Sequence, residues 1–102
     1  MDCIGTINFE SEMDETRWKS LLASHEELTP TDRIETINPF TKETSIITTP
    51  GELATVYAAD DQIGALRWSK LGSGIDVFGD RQKMQPFIER LASELEGWFD
   101  PI

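Results

Sequence analysis

Five short strand-like runs crowd between Arg33 and Phe78, and each joins the next through a connection of hairpin length. Parallel neighbours need a crossover of a dozen or more residues, so spacing this tight commits the middle of the chain to a largely antiparallel sheet. The runs are Arg33 to Ile37, Thr44 to Thr49, Ala54 to Ala58, Ile63 to Ser69 and Ile75 to Phe78. Thr44 to Thr49 is dense in β-branched residues, which suit a pleated surface. Turn chemistry separates the runs. Asn38 bonds its own backbone and Pro39 presets φ, while Pro50-Gly51 breaks the second run. Asp60-Asp61 marks a second hairpin and Gly72-Ser73-Gly74 a third turn.

Helical stretches flank this region. Cys3 to Glu10 alternates with period two and reads as a first strand. Ser11-Glu12-Met13-Asp14 then resembles a capping box, with Asp14 as the other candidate N-cap. Trp18, Leu21, Leu22 and His25 form one face of a short helix, which Leu28-Thr29-Pro30 ends. The cleanest helical stripe is Met84, Phe87, Ile88, Leu91, Ala92 and Leu95. Pro86 fits only the first turn of a helix, which places the start near Gln82 or at Pro86 itself. Gly97 suits the C′ position, and Trp98 to Ile102 follows as an apolar tail. The expected order is β-α-β-β-β-β-β-α, a single α+β domain over residues 1–102 with a mostly antiparallel sheet and both helices on one face.

Charge restricts the partners. The chain has 19 Asp and Glu against 9 Lys and Arg, a net charge of -10. Such a surface repels phosphate backbones and anionic lipid, so neither nucleic acid nor membrane is an expected partner. Cys3 is the only cysteine, which rules out an intramolecular disulfide and points to the cytoplasm. The N-terminus has no basic region followed by an apolar run, and no stretch has the roughly 18 apolar residues of a membrane span.

The candidate reactive groups are few and incomplete. Glu10, Glu12, Asp14 and Glu15 put four carboxylates in six residues, but without the loop glycine and alternating ligands of a calcium hand. They suit the positive end of a helix dipole, and no metal or other cofactor is expected. Gly72-Ser73-Gly74 is followed by a strand, whereas a phosphate-cradling loop needs a helix there. Cys3 and His25 lack a third group to orient them as a nucleophile and base. Asp60, Asp61 and Asp76 offer carboxylates for acid–base work, but the first two read as a turn and the third as an outward strand residue. Trp18 and Trp68 read as core. Trp98 and Phe99 are candidates for an apolar contact surface.

The layout has a Trp-bearing helix, Asn38-Pro39-Phe40-Thr41-Lys42-Glu43 in a β region and a C-terminal helix. It is similar to small bacterial α+β proteins. In size and acidity it resembles immunity proteins, which neutralise toxins inside the producing cell. No motif names a family. The expectation is a binding protein rather than an enzyme, of the inhibitor or immunity type, that meets a basic protein partner. Its contact residues would be Glu10, Glu12, Asp14, Glu15, Glu26 and Glu27, which bracket one helix. Two alternatives stand beside it. One is a small ligand-binding domain or enzyme with a pocket between sheet and helices. The other is a structural homodimer.

Overall fold

The computed structural model describes residues 1–38, 40–68 and 74–102. The chain runs β1 (Cys3–Asn8), α1 (Glu15–Ser24), β2 (Leu28–Thr31), β3 (Ile34–Ile37), β4 (Thr44–Ile47), β5 (Leu53–Ala58), β6 (Asp61–Trp68), β7 (Gly74–Gly79), α2 (Arg81–Glu94) and β8 (Trp98–Pro101). The α+β class, the mostly antiparallel sheet and the two helices are as the sequence predicts. Two short strands extend the expected order. α1 stops at Ser24 with His25 extended as its C-cap, so Leu28-Thr29-Pro30 lies beyond the helix and forms β2 against β5. Trp98 to Pro101 pairs with β1 as β8. The predicted turns at Pro39 and at Gly72-Ser73 fall outside the described residues. Asn38 does bond locally, its Oδ1 accepting from the Phe40 amide at 2.8 Å and the Thr41 amide at 3.2 Å.

The main sheet has the order β2-β5-β6-β7-β1-β8, and a separate hairpin is formed by β3 and β4. Strand alternation divides the sheet into two faces. On one face Ile7, Val56, Leu66, Ile75 and Val77 meet Trp18 and Leu22 of α1 and Met84, Ile88 and Leu91 of α2. On the other, Leu53, Ala65 and Phe78 lie under Ile34 and Ile47 of the hairpin, with Met1 and Cys3 alongside. The N-terminus holds the hairpin in place: the Ile37 amide donates to the Met1 carbonyl at 2.6 Å, and the Met1 ammonium to the Glu35 carbonyl at 3.1 Å.

Both helices start on an aspartate. Asp14 accepts from the Arg17 amide at 2.7 Å and Asp80 from the Lys83 amide at 2.9 Å, which satisfies one orphan donor in each first turn. α2 therefore begins at Arg81, slightly earlier than the expected start, and Pro86 falls in its second turn. Its missing amide deprives the Gln82 carbonyl of a partner on an exposed face, where water can replace it. No helix among the described residues is long and apolar enough to cross a membrane.

The two outer strands each carry a proline, Pro30 in β2 and Pro101 in β8. The Tyr57 amide donates to the Glu27 carbonyl, and the Ile102 amide to the Ile4 carbonyl. In an antiparallel ladder bonding residues alternate with outward-facing ones, so Pro30 and Pro101 both present their nitrogens to the free edges.

Candidate functional site

The chain leaves α2 through a Schellman turn. The Gly97 amide donates to the Ala92 carbonyl at 2.8 Å and the Glu96 amide to the Ser93 carbonyl at 3.1 Å. The left-handed residue of this turn is Glu96, with φ 55°, not the expected Gly97. Glycine is needed one position later because the chain presses there against β1: a Cβ on Gly97 would overlap the Asn8 carbonyl oxygen. This close approach sets β8 beside β1, with Trp98 opposite Asn8 and Phe99 opposite Ile7.

That register separates the two aromatic candidates. Ile7 faces the helices, so Phe99 is half-buried and packs on the helix-side core. Trp98 faces the other way and is 49% exposed. Asp100 shares its face, accepting from the Asn8 side-chain amide at 2.6 Å. One strand further in, Asp76 accepts from the Thr6 hydroxyl at 3.1 Å. Glu96 and Asp100, both exposed, flank Trp98 on either side. Each aspartate uses one oxygen on its neighbour, which fixes the carboxylate and leaves the other oxygen to a ligand.

The predicted acidic segment leaves from the same end of β1. Glu10 follows Asn8 by two residues, and Glu10, Glu12, Asp14 and Glu15 are all exposed. Arg17 anchors this segment, donating to the Ser11 hydroxyl at 2.9 Å and the Glu12 carbonyl at 2.6 Å. Asp14 is occupied as the N-cap, and Glu15 lies 3.3 Å from Lys19. Glu10 and Glu12 form no ion pair among the described residues.

Glu26 and Glu27 are not brought to this place. They lie past the far end of α1, a 10-residue helix about 15 Å long. That span exceeds the roughly 8 Å screening length at physiological salt, so the two acidic groups do not reinforce each other as one site. Glu26 is exposed. Glu27 is half-buried and pairs with Arg90 at 3.1 Å, an ion pair whose Oε2 makes no well-aligned hydrogen bond.

The remaining candidates are dispersed. Cys3 sits under the hairpin and His25 on the helix side of the sheet, where it contacts Glu94, so they form no dyad. Burial raises the Cys3 thiol above its ordinary value; a backbone hydrogen bond from Gly5 opposes this and the Asp76 charge adds to it. Asp60 and Asp61 lie at the β5–β6 turn, while Asp76 opposes Arg67 six residues along β6 from Asp61. Among the described residues no group of three or more His, Cys, Asp or Glu is placed to hold a metal. Trp18 and Trp68 are both buried, with ring centroids 5.9 Å apart.

The alternation around Ile75 and Val77 indicates which way Asp76 points. The parts played by Asn8, Glu96 and Asp100 leave no such mark, because they depend on β8 being a strand. Compared with protein-family models, with curated proteins and with solved structures, the chain matches none.

Proposed function

We propose that the chain is a small acidic protein-binding domain that docks a basic segment of a partner protein, as an inhibitor or immunity-type protein does. The observation that carries this reading is Trp98, half exposed between Glu96 and Asp100 on the strand beside Asn8, with Glu10 and Glu12 leaving from the same end. An exposed indole among carboxylates suits an arginine or lysine side chain. The ring face attracts the cation, and the carboxylates accept its hydrogen bonds. Tryptophan is also among the residues that dominate binding energy when an interface closes over them. The net charge of -10 adds long-range attraction, which speeds encounter with a basic partner and rejects acidic ones. Glu12, Asp14 and Glu15 extend that field towards α1.

The test starts with a partner isolated from the native host and continues with association and dissociation rates on the purified pair. Trp98→Ala is expected to weaken binding by about 30-fold, mostly through faster dissociation, the loss of an anchor worth about 2 kcal/mol. Replacing Glu12, Asp14 and Glu15 together with neutral residues is expected to slow association and flatten its dependence on salt. A partner whose rates ignore salt, the triple substitution and Trp98→Ala alike would overturn the reading.

A further inference from the structure

The β3–β4 hairpin is bonded differently along its two sides. On the β3 side the Glu35 carbonyl accepts from the Met1 ammonium, and the Ile37 amide donates to the Met1 carbonyl. Successive residues of an antiparallel ladder turn their polar groups to alternate sides, so Ile34 and Thr36 are the residues that bond β4, through their partners Ile47 and Ser45. Thr44 and Ile46 therefore turn their amides and carbonyls to the outer side of β4. No described strand pairs there, and Thr44, Ser45 and Ile46 are exposed. This edge lacks the guards that outer strands usually carry: neither proline nor charge interrupts Thr44 to Thr49. Residues 44–51 are the longest uncharged run in a chain of net charge -10. Two large exposed apolar side chains, Phe40 and Ile46, lie on the same hairpin.

We propose that the β4 edge pairs with the β4 edge of a second copy of the chain, antiparallel about a two-fold axis at Ile46. In that register Ile46 meets its own counterpart and Thr44 meets Thr48, and these are the residues whose polar groups turn outward. Directly opposed side chains share a face, so two half-exposed isoleucines cover each other, and β-branched pairs suit a cross-strand contact. Lys42 and Glu43 fall opposite Pro50 and Thr49, so no charge meets a like charge along the contact. The pairing also closes. Met1 occupies the outer side of β3, and Pro30 and Pro101 interrupt the outer strands of the main sheet, so each copy offers one open edge among the described residues and growth stops at two. One strand pair makes a contact at the small end of specific interfaces, so the dimer is expected to form at about 100 µM protein. It shares no residue with the Trp98 surface, and either reading can fail without the other.

The test uses the full chain. Sedimentation equilibrium over concentrations that span the expected constant should show monomer and dimer only. Dimerisation is expected to strengthen as salt rises, because salt screens the repulsion between two copies of charge -10. A basic partner at Trp98 has the reverse dependence. Ile46→Pro removes both hydrogen bonds at the axis and no bond within the chain, since that amide faces outward. It is expected to weaken the dimer about 100-fold, two hydrogen bonds of about 1.4 kcal/mol each, and to leave the thermal melt of the monomer in place. Hydrogen exchange on the ¹⁵N-labelled, unsubstituted chain stands if Ile46→Pro does not fold. The amides of Thr44, Ile46 and Thr48 are expected to slow as concentration rises, and those of Ser45 and Ile47, already bonded to β3, to change less. A monomer at every concentration and salt, a species larger than the dimer, a dimer that survives in folded Ile46→Pro, or new protection on other amides would each overturn the proposal.

Discussion

His25 Nε2 lies 2.7 Å from a carboxylate oxygen of Glu94, which ties the C-cap of α1 to the last turn of α2. The Phe87 ring meets the same imidazole edge-on, with centroids 6.1 Å apart, and Glu27 reaches Arg90 at 3.1 Å. Both helices rest on the sheet, and this clasp joins them to each other. The Glu94 side chain is about half exposed, so solvent screens much of the attraction. A double-mutant cycle of His25→Ala and Glu94→Ala, read by denaturant unfolding at neutral pH, is expected to give a coupling of about 0.5 to 1 kcal/mol. Strict additivity would mean that the two helices are stabilised independently.

Leu91 lies in the middle of the α2 stripe and is fully buried against the sheet. Leu91→Ala is expected to cost about 2 to 5 kcal/mol through the cavity it opens, measured by urea unfolding. A loss below about 1 kcal/mol would contradict its place in the core.

The turn after α2 yields a paired prediction. Glu96 holds a left-handed conformation that costs an ordinary side chain about 1 kcal/mol, so Glu96→Gly is expected to leave stability unchanged or raise it by up to about 1 kcal/mol. Gly97→Ala, one residue on, is expected to be destabilising, because its methyl group meets the Asn8 carbonyl and β8 must move off β1. Thermal melts of the two variants should shift in opposite directions or, at the least, differ clearly. Equal melts would show that β8 does not depend on this close approach.

Cys3 is expected to alkylate slowly at neutral pH. Its thiol value is raised, mainly by burial, so at a given pH the folded chain holds less thiolate than the unfolded one. The sign for stability follows. The folded state binds the thiol proton more tightly, so this group's contribution is fully present below the unfolded value and is lost as pH rises through the folded one. Iodoacetamide rates against pH, with and without denaturant, should show the folded profile displaced to higher pH. Coincident profiles would contradict the burial of Cys3.

The fold class was readable because two periodicities dominate the chain. Alternation from Ala54 to Ala58 and Ile75 to Phe78 marks central strands, and the stripe from Met84 to Leu95 marks α2. β2 and β8 were not readable. Each has four residues, each contains proline, and each gains its ladder only from a neighbour far away in sequence. The separate β3–β4 hairpin escaped for a similar reason: its residues alternate like any strand, and what places it across the sheet, the tether to Met1 and the packing of Ile34 and Ile47 on Leu53 and Phe78, comes from distant parts of the chain. The candidate site shares this history. Trp98 stands out by composition, but its separation from Phe99 and its company with Asp100 and Asn8 depend on the β8 register.

The outward-facing nitrogens of Pro30 and Pro101 have a consequence for a cell that makes much of this protein. A fibril grows when an incoming strand finds an unbroken row of donors and acceptors on an outer strand. Here both outer strands of the six-stranded sheet are four residues long, and each lacks one of its two outward-facing donors, at Pro30 and at Pro101. In the folded chain, edge-to-edge growth of the main sheet is thereby disfavoured at both ends.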